Sequence, residues 1–203
     1  MEQLKTQPRD EDDELFMDII QRNSKRINDL ITELLDSSRP AEMLLKKINL
    51  RDVMDKSIAA ALDRITLQRI NMRVNFPDKA CYIRGDENKL EFSFLNIIIN
   101  AIEAMKEEEG ELVILITDMQ PYYVVEISDN GCGISEESLA HLFEPYFTSK
   151  RNGMGLGLAS TLNILQAHGA TIDVASKQKI GTTFSVTFPA DAMKAEPTME
   201  SAH

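Results

Sequence analysis

The sequence predicts an α+β protein: a two-layer α/β sandwich with a mixed sheet covered by helices on one face, preceded by an amphipathic helix. Three observations carry that expectation. The runs 111–117 with 122–128, and 170–176 with 182–188, alternate and are rich in β-branched and aromatic residues, so each pair reads as an antiparallel hairpin. The segment 95–104 is intensely apolar apart from Asn96, Asn100 and Glu103, which fall at i, i+4 and i+7 and form one polar stripe on a helix. Two glycine clusters, at 131–133 and 153–157, flank a polar loop that carries Phe143, Pro145 and Phe147.

Taken in order, residues 1–13 are polar and acidic with Pro8, as expected of a disordered extension. A helix is expected over 14–39. Its Phe16, Ile20, Asn23, Ile27, Leu30 and Leu34 follow a 4-3-4-3-4 spacing, the seam of a coiled coil or bundle, and Ile19, Ile31 and Leu35 widen the stripe. Pro40 ends it. A short strand is expected at 48–50 and a helix over 53–67. Strands at 72–76 and 81–84 flank a turn at Pro77-Asp78, and Gly85-Asp86 caps the next helix. The first hairpin turns at Gln120-Pro121, Gly169 stops the helix that begins after Gly157, and the tail 191–203 is expected to be disordered.

Length and composition bound the function. With 203 residues and 43% hydrophobic content the chain can bury one good core, and its net charge of −11 argues against nucleic acid or an anionic membrane surface as partner. Cys81 and Cys132 have neither disulfide-framework count nor metal spacing, which fits a reducing cytoplasm. The apolar stretch 92–105 is broken by two Asn and a Glu, so no membrane segment is expected in this chain.

The glycine clusters point to chemistry. The strand 122–128 delivers Asp129 to a sharp turn in which Gly131 and Gly133 supply backbone freedom. The second cluster, Gly153, Gly155 and Gly157, opens a helix whose free N–H groups and dipole favour an anion, typically phosphate. Polar groups on the buried stripe need partners, and a phosphate-bearing ligand with a metal would supply them.

These motifs resemble, in order, those of sensor histidine kinases of the GHKL ATP-binding superfamily. They are the N-box (96–104), the G1 box (129–134), the F-box (143–150), the G2 box (153–158) and Gly181-Thr182-Thr183-Phe184. The resemblance covers residues 45–190 and implies the Bergerat fold, a mostly antiparallel mixed sheet. It implies ATP with Mg²⁺ as the bound ligands and histidine phosphorylation as the reaction. Asp129 is then expected to bind the adenine amino group, with Thr182 contributing directly or through water. Ile134, Leu156 and Leu158 line the slot or belong to the core. Asn100 is the implied metal ligand, and Asn96, Lys89 and Lys150 the implied phosphate contacts. Gly153, Gly155 and Gly157 act as donors and hinges for a lid over 135–152. Glu103 acts as an auxiliary base, orients Asn100, or is a structural partner.

The resemblance extends to 14–39, which looks like the second helix of the dimerisation and phosphoacceptor hairpin and implies a homodimer. Among His141, His168 and His203 none sits in the family's acceptor motif, so the acceptor helix and the response regulator are expected outside this chain. The chain thus reads as a fragment, the cytoplasmic part of a longer sensor. His168 stands near a helix C-terminus, where positive charge is favoured. Two departures are visible: Met154 replaces the family's usual hydroxyl residue, and the lid between Phe147 and Gly153 is short. Superfamily ATPases place a Glu base four residues before the metal-binding Asn. Here that residue is Asn96, which cannot take a proton near neutral pH, so transfer to an imidazole fits better than hydrolysis. Two other readings stay open, a non-catalytic nucleotide-binding dimerisation scaffold and a serine kinase of the anti-sigma-factor type.

Overall fold

The structure, a computed structural model, describes residues 43–148 and 155–191. The expected helix 14–39, both terminal extensions apart from Asp191, and Lys150, Gly153, Met154 and His203 lie outside the described residues.

The chain runs β1 (Lys46–Asn49), α1 (Leu50–Leu67), β2 (Asn71–Asn75), β3 (Tyr82–Gly85), α2 (Glu87–Ala104), β4 (Glu111–Met119), β5 (Tyr122–Asp129), α3 (Glu136–Ala140), α4 (Gly157–Ala167), β6 (Thr171–Lys177) and β7 (Gly181–Pro189). Five strands form one sheet in the order β2-β4-β5-β7-β6, and β1 pairs with β3 in a separate two-stranded ribbon. Only β2 and β4 run parallel; the other pairs are antiparallel. This is the expected α+β sandwich.

Both expected hairpins form, β4–β5 and β6–β7. One local expectation needs correction. Leu50 opens α1 rather than closing β1, because Asn49 acts as N-cap and accepts from the Arg51 N–H at 3.4 Å. The strands on either side of Pro77-Asp78 do not pair with each other: β2 lies against β4 and β3 against β1. A parallel β2–β4 pair needs a long crossover, and β3 with α2 is that crossover.

The core lies between α2 and the inner face of the sheet. Phe94, Ile97, Ile98 and Ile102 of α2 are fully buried, as are Leu112 and Ile114 of β4 and Val125 of β5. The rings of Phe94 and Phe188 stand 6.0 Å apart. Each such side chain contributes roughly 1.5–3 kcal/mol of burial. α1 packs on one flank of α2 and α4 on the other. Asp86 caps α2 by accepting from the Lys89 N–H at 3.3 Å.

Candidate functional site

The inner face of the sheet is made of cross-strand rows. Two of them are wholly apolar: Ile116, Val125, Val186 and Ile172, then Ile114, Ile127, Phe184 and Val174. The last row is Leu112, Asp129, Thr182 and Ser176. Alternation that elsewhere fills the core therefore ends in three adjacent polar side chains at one end of the sheet.

Asp129 closes β5. Its Oδ1 accepts from the Gly131 N–H at 2.8 Å, an Asx turn that swings the chain off the sheet. Burial pushes its carboxyl above the ordinary aspartate value, against the N–H groups of Gly131 and Thr182, which pull it down. The loop that follows is fastened on both sides. Asn130 accepts from the Glu111 N–H at 2.8 Å and donates to Glu109 O at 2.9 Å. The Cys132 N–H donates to Ala104 O, at the end of α2, at 3.0 Å, and its carbonyl accepts from the Lys179 N–H at 2.7 Å. Gly131 faces the Ala104 carbonyl. Gly133 has φ +66°, and a β-carbon there would overlap the Lys177 carbonyl, so the position admits glycine alone. The Ile134 N–H donates to Ser176 Oγ at 2.8 Å.

The second turn is built from the lid side. Gly155, at φ +69°, accepts from the Tyr146 N–H at 2.9 Å, and a β-carbon on it would meet Phe147 O at 2.5 Å. Tyr146 itself has φ +67° and is 73% exposed, while Leu142 and Phe143 pack on the core. α4 begins after Leu156, which makes no side-chain cap among the described residues, and a helix start of this kind suits an anion. A β-carbon on Gly157 would lie 2.7 Å from Asn96 Oδ1, which shows how closely that carboxamide abuts the start of α4. Asn96 Nδ2 donates to the buried Thr161 Oγ1 at 3.0 Å. Leu158 packs against the core.

The remaining α2 residues separate. Asn100 is half-buried one turn beyond Asn96. Glu103 is exposed and its carboxylate stands 3.3 Å from Arg64 of α1, which favours the structural role over the catalytic one. Lys89 lies seven residues before Asn96, about 10 Å along the helix axis, so a shared phosphate requires its full reach. His168 takes a structural place, without the positive charge that a helix C-terminus favours. It is buried; its Nδ1 lies 2.7 Å from Ile164 O, and its Nε2 accepts from the Asp86 N–H at 2.9 Å. Those partners fix the neutral Nδ1–H tautomer, because a carbonyl can only accept and an amide N–H only donate. Burial holds its pKa below the ordinary histidine value, so no cation sits at that helix end. Ser176, Thr161 and Asn130 escaped sequence reasoning. Only their place in strand or helix register, one row or one turn from a glycine cluster, could have flagged them.

An acidic side chain at the end of a sheet, with a helix starting at the other glycine turn, is an arrangement suited to a nucleotide-binding domain. Residues 85–192, just over half the chain, match the family described as "Histidine kinase-, DNA gyrase B-, and HSP90-like ATPase". Sporulation kinase A of Bacillus subtilis (strain 168) is 34% identical over 183 residues, covering 90% of this chain and 30% of the relative. Sensor histidine kinase ZraS of Escherichia coli (strain K12) is 30% identical over 179 residues, covering 88% and 38%. Among solved structures, the nucleotide-free catalytic domain of histidine kinase ThkA superposes with a TM-score of 0.66 at 26% identity, covering 72% of this chain and 96% of that one. ThkA in complex with response regulator protein TrrA shares the fold at a TM-score of 0.74 and 23% identity, covering 91% and 53%. The chain belongs to the histidine kinase-, DNA gyrase B- and HSP90-like ATPase family, as the ATP-binding catalytic domain of a sensor histidine kinase. It spans about a third of the length of these two curated relatives. Among the described residues no helix is long and apolar enough to cross a membrane.

Proposed function

We propose that this chain holds Mg-ATP between its two glycine turns and passes the γ-phosphoryl to a histidine on a dimerisation hairpin. The observation that carries the reading is the polar row Asp129–Thr182–Ser176 ending an otherwise apolar face. Asp129 accepts from the exocyclic amine of adenine, and Thr182 backs it. Gly131 and Gly133 let the base approach the backbone, and Ile134, Leu156 and Leu158 supply apolar walls. Phosphates fall to Asn96, to the N–H groups at Gly155 and Gly157, and to Lys89, Lys150 and Gly153.

Asn100 offers a hard carboxamide oxygen. Among the described residues no three His, Cys, Asp or Glu side chains cluster to hold a metal. One protein oxygen beside phosphate oxygens and water is a donor set that suits Mg²⁺, which when bound neutralises charge on the transferring phosphoryl. The protein's task is then to position and shield, because a neutral imidazole is already a competent nucleophile. Asn96 stands where a hydrolytic base would be needed and cannot serve as one. His168 has both ring nitrogens committed and His141 is tied to Glu144 at 2.9 Å, so neither described histidine serves as the acceptor, which we assign to another helix.

We assign residues 45–190 to the catalytic domain, 14–39 to a homodimerising helix, and the protein to the cytoplasm, where ATP and a response regulator are both available. Mixing the chain with Mg-ATP and a separate acceptor hairpin tests the proposal. Acid-labile phosphohistidine is expected. Acid-stable phosphate would instead indicate a serine kinase, and tight ATP binding with no transfer a scaffold.

A further inference from the structure

We propose that Ser176 sets the base selectivity of the site, by fixing the Thr182 hydroxyl as a hydrogen-bond acceptor only. The inference rests on the reading of Asp129 and Thr182 as the base-binding pair, and it follows from counting protons.

A serine hydroxyl carries one hydrogen and two lone pairs. Ser176 Oγ has three partners in the structure: the Ile134 N–H at 2.8 Å, Gly181 O at 3.0 Å and Thr182 Oγ1 at 2.9 Å. The amide can only donate, so it takes one lone pair. The carbonyl can only accept, so it takes the single hydrogen. One lone pair remains, and Thr182 must donate its own hydrogen to fill it. The threonine hydroxyl, 5% exposed, then has only lone pairs left for anything lying beside Asp129.

An ionised Asp129 is likewise acceptor-only. The two side chains are cross-strand neighbours, so together they offer acceptors without donors. A purine with an exocyclic amine satisfies them. So does a water that spends one hydrogen on the pair and offers the other to an unprotonated ring nitrogen. A 6-oxopurine brings a carbonyl and a ring N–H instead, leaving acceptor against acceptor. Specificity of this kind comes from unpaired groups in the wrong complex more than from contacts in the right one. Ser176 also ties the first glycine turn, through Ile134, to the β6–β7 turn, through Gly181. Base identity and loop position therefore depend on one hydroxyl.

The test compares Mg-ATP with Mg-ITP, which differ only at the purine 6-position and ring N1, by calorimetry on the full chain. Ser176→Ala frees the Thr182 hydroxyl to turn round and donate. We expect its ATP/ITP selectivity to fall about tenfold, the scale of one hydrogen bond, and Ser176→Thr to restore it. In a Thr182→Val background the Ser176→Ala change should leave the ratio untouched, whereas a merely structural serine would act alike in both backgrounds. An unchanged ratio in Ser176→Ala, with ATP still bound, overturns the assignment, and so does failure of Ser176→Thr to restore it. If Ser176→Ala does not fold, the ratios of the wild type, Ser176→Thr and Thr182→Val decide. The first two should match and Thr182→Val should fall below them; equal ratios in all three refute the role. ATP binding that survives Asp129→Asn and Thr182→Val intact refutes the base-binding pair itself, and this proposal with it.

Discussion

The two glycine turns that flank the slot look alike in sequence and are held in opposite ways. The first is tied across elements: to the end of α2 through Ala104, to the start of β4 through Asn130, and to the β6–β7 turn through Lys179 and Ser176. The second leans on its own neighbourhood, Gly155 against the backbone of Tyr146 and Phe147. It reaches the rest of the fold through α4, whose Thr161 meets Asn96 and whose His168 meets Asp86, both contacts falling on α2 and its cap. On the proposed function, base recognition is built into the sheet and phosphate recognition into the start of a helix. On that reading the half that meets the base is braced by distant elements, and the half that meets phosphate by near neighbours.

The comparison can be broken most directly at the glycines. Gly133→Ala forces a β-carbon into the Lys177 carbonyl at positive φ. It should cost about 3 kcal/mol or more of global stability, read as a lowered urea midpoint. Gly155→Ala carries the same φ strain, but its clashing neighbours, Tyr146 and Phe147, lie near it in the chain and outside the sheet. Its midpoint should fall by less than half as much while ATP affinity still drops. Equal midpoints for the two variants would dismiss the distinction.

Asp129→Asn sharpens the first half. The amide oxygen can keep the hydrogen bond from Gly131 but loses the charge that recognises a donor. ATP affinity should fall on the order of a hundredfold, the scale of a charge-assisted hydrogen bond replaced by a mismatched one. The carboxyl's pKa is raised in the fold, so ionising it opposes folding once pH passes its unfolded value. At neutral pH the melting temperature of Asp129→Asn should therefore equal or exceed the wild type's. A clear loss of stability would show that the carboxylate is structural.

The smallest effect belongs to His168, at the far end of α4. Its pKa is lowered in the fold, so the unfolded chain binds the proton more readily. The stabilisation is complete above about pH 6.5, the ordinary histidine value, and is lost progressively as pH falls below it. Chemical denaturation from pH 7.5 to 5.5 should show a decline that His168→Gln flattens. Parallel pH profiles for the two proteins would mean that the imidazole already charges in the folded state.

Much of this was legible because the signals are local. Alternation in 111–128 and 170–188 marks both hairpins, since a strand with one buried face must repeat every second residue. Asp86 and Gly169 mark helix ends, because caps answer backbone groups a few residues away. β2 and β3 were legible as strands on either side of their turn, but their partners β4 and β1 were not, since pairing across a crossover leaves no mark in the turn's own residues. Glu103 could be placed on the polar stripe, but its Arg64 partner lies on another helix, 39 positions distant in the chain.

By itself the sequence determined the fold class, the helix that carries Asn96 and Asn100, and the two turns where only small residues fit. Tertiary structure alone decided that Ser176 stands beside Thr182, that Asn96 meets Thr161, and that His168 is a neutral strut rather than a helix-end cation. The physical reason is reach: periodicity and capping act over a few residues, whereas strand register and helix packing decide which distant polar groups must satisfy one another away from water.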